Sequence, residues 1–279
     1  MFSFSYLHRQ SAIAALVIAA ALASAGSAQA QVGLGLTPMR EELRLAPGDQ
    51  HSGTLVLSNA GPEKIRVAAD LLDFFIDDNA TPQFRRQWPQ ESEDSCRGWL
   101  TLNPMEMELG GNSQAVVRYT IRVPQSAAER SYHCAAGFTT HPVAEQARAV
   151  GLRTAVQIVT AFYVVAGTPR AEGSIQDLRL ERSEDPQRPG WRAVVVIGNP
   201  SWMHFRPSGA VEVLNEGGVV VESVNFVPLP VLPKRDQTYV FPLKLESGGG
   251  AYTVRVRVDL GGNEIQEATA HVGAAHPSP

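Results

Sequence analysis

The strongest constraint on this chain is its punctuation. Beyond residue 30, short apolar runs alternate with clusters of Gly, Pro, Asn and Asp. Leu55-Val56-Leu57, Ile65 to Ala69, Ala115 to Val123 and Val156 to Val165 are rich in β-forming residues. Pro47-Gly48, Asn59-Ala60-Gly61-Pro62, Gly110-Gly111-Asn112 and Pro124 bound them. Runs of this kind fit pleated, half-buried strands closed by turns. No window of 11 residues in this region carries a helical apolar stripe. The nearest candidate, Val143 to Val150, is short and alanine-rich and reads as a loop or a single turn.

A second series follows Ala166-Gly167-Thr168-Pro169. It comprises Ile175 to Leu180, Arg192 to Ile197, Gly209 to Leu214, Val219 to Val224, Thr238 to Leu245 and Ala251 to Leu260. Two series of short strands predict an all-β chain of two tandem immunoglobulin-like β-sandwiches. The expected limits are residues 31–168 and 169–273, with a disordered tail over 274–279. The halves also echo each other. Leu55 to Arg66 reads strand, Asn59, turn, strand, and Val194 to Arg206 repeats that order around Asn199. Two related modules would produce such an echo, and so would chance in a β protein.

The N-terminus bears on the compartment. Ala12 to Ala25 is a run of 14 residues, apolar except for Ser24, and too short to span a bilayer comfortably. Ser27-Ala28-Gln29-Ala30 places small residues at the −3 and −1 positions of a cut after Ala30. This predicts a secretory signal over residues 1–30 and an exported, periplasmic protein without an integral membrane segment in its mature form. An uncleaved signal anchor is the competing reading. Cys96 and Cys134 are the only cysteines. In an oxidising compartment an even pair predicts one disulfide, the alternative being two buried thiols.

Composition narrows the function classes. A hydrophobic content of 44% supports real cores, and a net charge of −4 removes the electrostatic footprint of a nucleic-acid binder. There are only three lysines, Lys64, Lys234 and Lys244, so the cationic side chains are mostly arginines. Arginine suits fixed, forked contacts with carboxylates. The chain has no Gly-x-Ser-x-Gly elbow, no phosphate-cradling glycine loop and no His-Glu-x-x-His. No histidine stands at metal-ligand spacing from another histidine or cysteine, so neither metal nor cofactor is expected. Asp70, Asp73, Asp77 and Asp78 lack the pattern of a calcium loop and read as a solvated acidic loop. The chain is expected not to be an enzyme. A catalytic group assembled across the fold is the one arrangement that a motif search leaves open.

Ser131-Tyr132-His133-Cys134 places a tyrosine two residues before a cysteine on a late strand. This resembles the tyrosine corner of immunoglobulin-like sandwiches, whose hydroxyl ties a crossing loop to the strand. Trp99, three residues after Cys96, does not follow the antibody spacing. A longer ordered set includes Leu36-Thr37-Pro38-Met39-Arg40, Leu55-Val56-Leu57-Ser58-Asn59, Trp99 to Pro104, Val116-Val117-Arg118-Tyr119 and the closing run Ala155 to Val164. Gly198-Asn199-Pro200, Arg206-Pro207-Ser208-Gly209 and Val231-Leu232-Pro233 continue it. In this order the segments resemble the periplasmic pilus-assembly chaperones, the PapD-like family, over nearly all of residues 32–272.

The resemblance implies a binding protein. Members of the family lend the last strand of their first domain to an incomplete subunit sandwich and hold the subunit's terminal carboxylate with basic residues in the interdomain cleft. Carried onto this chain, Arg40 matches the family's first-strand arginine, and Arg153 is the candidate second anchor. Val156, Ile158, Thr160 and Phe162 form the candidate edge-strand face. The expected partners are exported β-rich subunits and an outer-membrane usher. Thr160 falls where the family has a lysine, and Gly151, Arg153 and Ala155 fall where it has bulky apolar residues. These departures keep open a second reading, a structural or adhesive surface protein built from the same sandwiches.

Overall fold

A computed structural model describes residues 33–77, 80–86, 92–141, 155–183, 190–245, 251–262 and 264–272. The expected signal, Arg153, the run Val143 to Val150 and the expected tail lie outside them. Ten strands form the first half: β1 (Leu34–Thr37), β2 (Arg40–Leu45), β3 (Gln50–Asn59), β4 (Ile65–Ile76), β5 (Pro82–Arg85), β6 (Leu100–Asn103), β7 (Glu106–Leu109), β8 (Ser113–Arg122), β9 (Ser131–His141) and β10 (Gln157–Ala166). Seven form the second: β11 (Ser174–Arg182), β12 (Trp191–Asn199), β13 (Ser208–Leu214), β14 (Val220–Asn225), β15 (Arg235–Leu243), β16 (Tyr252–Asp259) and β17 (Ile265–Val272). Among the described residues the only helical element is one 3-10 turn, Arg97–Trp99.

The strands pair into four sheets, and no pair crosses between the halves. The first half packs β1-β3-β8-β6 against β2-β10-β9-β4-β5, with β7 also on β4. The second packs β11-β12-β15 against β14-β13-β16-β17. Each half is a two-layer β-sandwich of immunoglobulin type. The first strand of the first sandwich is split. Its β1 portion pairs with β3 in one sheet, and its β2 portion pairs in parallel with β10 in the other.

Alternation explains the layers. In β3, Leu55, Leu57 and Asn59 are buried; in β8, Val117, Tyr119 and Ile121 are. They meet Phe138 of β9 and Phe162 of β10 in the first core. In the second, Ala193, Val195 and Ile197 of β12 meet Val211 and Val213 of β13 and Val254, Val256 and Val258 of β16. Burying each Val, Leu, Ile or Phe among them contributes about 1.5–3 kcal/mol. Cys96 and Cys134 are joined in a disulfide, and Tyr132 Oη donates to the Ala128 carbonyl at 3.2 Å as a tyrosine corner should. Trp99 packs on Tyr132 with ring centroids 4.2 Å apart.

The acidic-loop reading fails for Asp70 and Asp73, whereas Asp77 does stand in the turn that follows β4. Asp70 and Asp73 lie within β4, and Asp73 is 6% exposed. It accepts the Ser95 hydroxyl proton, and Arg97 stands 3.3 Å away. A carboxylate in a buried strand is stabilised by such partners, which only the folded chain supplies.

Candidate functional site

The two sandwiches meet on the outer face of the six-stranded sheet. Leu72, Phe74, Ala135 and Tyr163 of the first half enclose Leu232 of the second in a small third core, with Val159 and Ala161 packed beside it. Strand β10 thus serves two faces. Phe162 and Val164 enter the core of the first sandwich and Ile158 packs against it, while Val159, Ala161 and Tyr163 face the junction.

The backbone of β10 is also divided. Along β9 it pairs antiparallel from Gln157 to Val165, and Thr140 N–H donates to Val156 C=O at 2.9 Å. On the other side, pairing with β2 begins only at Ala161 opposite Arg40. Ala161 N–H donates to Met39 C=O at 3.0 Å, so odd-numbered backbone groups face that side. The N–H and C=O of Gln157 and Val159 therefore face a side on which no described strand pairs with them. Among the described residues the start of β10 is an open edge, and its second half is an interior strand.

Next to this edge lies a cleft of about 1180 Å³ between the sandwiches. Alternation along β2 turns Arg40, Glu42 and Arg44 toward it, and Leu43 toward the core. The second half supplies His204 and Arg206 from the segment after β12. Glu42 Oε1 accepts from Arg206 Nε at 3.0 Å and Nη2 at 2.8 Å. Its Oε2 lies 3.0 Å from His204 Nε2. Burial would raise the Glu42 pKa. The hydrogen bonds and charges of His204 and Arg206 outweigh it and hold the carboxyl down at about 2. Arg40 Nε stands 3.7 Å from the same Oε1. The Arg206 guanidinium also lies 4.8 Å from the centre of the Tyr163 ring.

His204 extends the contact inward. Its Nδ1 lies 2.9 Å from Ser131 Oγ, and that oxygen also accepts the His204 backbone N–H at 3.0 Å. The two ring nitrogens thus bridge Glu42 of the first sandwich and Ser131 through one side chain of the second. Serine, histidine and glutamate assembled across the fold have the composition of a nucleophile relay. Ser131 is 1% exposed, however, and its oxygen is already engaged on two sides. No substrate reaches it, so the relay acts as a tie between domains. A second brace stands nearby. Trp202 C=O accepts from Ser131 N–H at 2.8 Å, and its ring lies 4.9 Å from the Arg130 guanidinium and 4.7 Å from Lys234 Nζ. His133, beside Ser131 in sequence, is buried and its Nδ1 has no described partner; burial pushes its pKa down to about 4.

The residues singled out from the sequence separate accordingly. Arg40 lines the cleft, half-exposed, at the first residue of β2 that pairs with β10. Thr160 is completely buried and donates its hydroxyl to Pro38 C=O at 2.7 Å. Phe162 is completely buried as well. The candidate face Val156, Ile158, Thr160 and Phe162 is therefore corrected: it is the inward face of β10, and Thr160 and Phe162 offer no side chain to a partner. Val156 and Ile158 are part-exposed at the open end. Sequence reasoning missed Glu42, Ser131, Arg206 and the role of His204. The alternation Met203-His204-Phe205-Arg206 was the available signal, but Glu42 is 162 residues from His204.

No family model matches the chain, and no curated protein does. Solved structures do match. The class 5 fimbriae chaperone CfaA is 10% identical, with 85% of this chain and 98% of that one covered and a TM-score of 0.43. The Pseudomonas aeruginosa CupB2 chaperone is 16% identical, covers 84% and 98%, and scores 0.39. A Salmonella enterica SafA pilin complex with the SafB chaperone gives 16%, 88% and 99%, and 0.41. The chain is similar to these fimbrial chaperones; its two-sandwich fold is read from its own strand order.

Proposed function

We propose that this chain is a periplasmic, chaperone-like protein that binds exported β-rich subunits by strand addition at the start of β10. The observation that carries the reading is the open edge at Gln157 and Val159, beside a cleft lined with arginines. An incoming strand gains main-chain hydrogen bonds along that edge. An acidic terminus of the same strand lies within the field of Arg40, whose fork matches a carboxylate. The tie of Glu42 to His204 and Arg206 supports the reading by fixing the angle at which edge and cleft face a ligand.

The test is capture of subunits from periplasm by the full chain, compared with Val159→Pro and Arg40→Ala. Val159 N–H belongs to the open side, so proline there removes a donor without breaking the ladder to β9. The wild type retains a β-rich subunit, Val159→Pro loses it with its circular dichroism unchanged, and Arg40→Ala weakens it. Capture of no subunit by any form, with recovery of the chain in surface polymer, overturns this reading in favour of a structural or adhesive protein.

A further inference from the structure

The docked face of the first sandwich carries a histidine that the interdomain tie does not use. His133 of β9 shares a face with Ala135, two residues on, and stands opposite Tyr163 of β10. Its ring packs edge-on against Phe74 with centroids 5.0 Å apart. Phe74 in turn packs on Tyr163 at 5.5 Å, and Tyr163 on His204 at 5.0 Å. An aromatic chain thus runs from His133 into the second sandwich, beside the docked Leu232. The surroundings fit an uncharged ring. His133 is 8% exposed, and its Nδ1 is buried without a partner among the described residues. From the second sandwich, His204 and Arg235 both oppose a charge on it. The nearby carboxylates are engaged elsewhere. Asp73 of β4 stands 3.3 Å from Arg97, Asp94 stands 3.5 Å from Arg130, and Glu42 holds His204 and Arg206. Tyr163, whose pKa burial raises, brings no charge in acid.

We infer that His133 is an acid-sensitive latch: protonation of its ring undocks the two sandwiches while each stays folded. A cation at this position is buried without a counter-charge and faces a second sandwich that repels it. Undocking removes His204 and Arg235 and lets water reach the ring. The docking gives way before the sandwiches do, because it rests on a small apolar cluster while each sandwich has a large core of its own. Burial, the main cause, pushes the docked pKa down to about 4. The charges of His204 and Arg235 add to it, and a hydrogen bond with the Phe74 backbone opposes it. In the undocked form the ring returns to its ordinary value of 6.5. The undocked form therefore binds more protons between these values. Docking is at full strength above pH 6.5 and weakens as pH falls toward about 4. Near pH 5 the undocked fraction should be about 30-fold its value near pH 7.5. Glu42 keeps its charge throughout that window, so the tie itself does not titrate away. The latch does not depend on what the cleft binds.

Amide hydrogen exchange of the full chain, read residue by residue by NMR, tests this. Ser131 N–H donates to Trp202 C=O and His204 N–H to Ser131 Oγ, so both amides report docking. Tyr119 of β8 and Val256 of β16 are paired with strands on both sides and report the two sandwiches. With intrinsic exchange rates divided out, protection at Ser131 and His204 should fall about 30-fold from near pH 7.5 to near pH 5, while Tyr119 and Val256 hold theirs. His133→Phe keeps a ring against Phe74 and should abolish the fall. Asp94→Asn should retain it, although burial raises the Asp94 pKa. An equal fall at Tyr119 means that the first sandwich unfolds and overturns the latch. A fall that persists in His133→Phe overturns it in favour of another group, and one that vanishes in Asp94→Asn assigns the sensing to Asp94. Where His133→Phe does not fold, the wild-type ring decides. Its Cε1–H signal should show no protonation above about pH 5, and a midpoint near the ordinary 6.5 overturns the latch.

Discussion

Asn59 closes β3 in the first sandwich and Asn199 closes β12 in the second, and the two do the same work. Each is 2% exposed. Each side-chain oxygen accepts the N–H two residues on, from Gly61 at 3.1 Å and from Ser201 at 3.0 Å. Each amide donates to the carbonyl four residues on, Glu63 at 2.7 Å and Met203 at 2.9 Å. Each then reaches a distant loop: Asn59 to Gly110 C=O, and Asn199 to the carbonyls of Val231 and Leu232. The sandwiches differ around this shared device. The first adds a disulfide and a tyrosine corner. The second has no disulfide, its Tyr239 hydroxyl donates to the Leu229 carbonyl at 2.8 Å from a different strand, and its asparagine holds the loop whose Leu232 docks onto the first sandwich. The unstapled half therefore depends more on one side chain, and that side chain also serves the junction.

The sharpest way to separate the halves is to remove the staple. Replacing Cys96 and Cys134 with alanine frees a loop of 38 residues. By loop entropy this should destabilise the first sandwich by about 4 kcal/mol. Urea unfolding, followed by Trp99 fluorescence for the first half and Trp191 for the second, should show the first transition move and the second stay. Equal movement of both would mean that the sandwiches unfold as one unit. Next come the asparagines. Asn199→Ala removes five side-chain hydrogen bonds, to the Met203, Val231 and Leu232 carbonyls and from the Ser201 N–H and hydroxyl. It should cost about 3 kcal/mol, against about 2 for Asn59→Ala, which removes three. Equal losses would remove the asymmetry.

Much of this comparison was legible in the sequence. The strand series, the cysteine pair, the Tyr132 corner and the echo around Asn59 and Asn199 are local patterns, set by alternation and turn chemistry within a dozen residues. The open edge and the cleft were legible only in part. Arg40 could be placed by its position at the head of the first strand. The inward direction of Thr160 and Phe162 could not, because alternation defines two faces without saying which one is solvent. Glu42, Ser131 and His204 could not be assembled either, since their contact depends on how the two sandwiches dock. Asp73 misled for a related reason. In sequence it belongs to an acidic run, and only the fold brings Ser95 and Arg97 to it.

The junction gives a smaller, pH-dependent effect. Glu42 has its folded pKa lowered to about 2 from an ordinary 4.5. A depressed carboxylate contributes stability that is full above the unfolded value and is lost as pH falls through the folded one. The loss therefore falls between pH 4.5 and about 2. Glu42 is 41% exposed, so solvent screening reduces the contribution to about 1 kcal/mol. Glu42→Gln should flatten that part of the stability–pH curve and lower stability near neutral pH by the same contribution. An unchanged curve would show that the tie holds no folding energy.

The smallest effect tests whether the corner belongs to one half alone. Tyr132 Oη donates to Ala128 C=O, and Arg130 Nε donates to the hydroxyl oxygen at 3.3 Å. Tyr252 opens β16, the strand that occupies the place of β9 in the second sandwich, and makes no such bond among the described residues. Tyr132→Phe keeps the ring on Trp99 and removes only the hydroxyl, so the first transition should weaken by about 1 kcal/mol. Tyr252→Phe removes a hydroxyl without a described partner and should leave the second transition in place. A loss at Tyr252 equal to that at Tyr132 would mean that both halves tie this strand by its tyrosine.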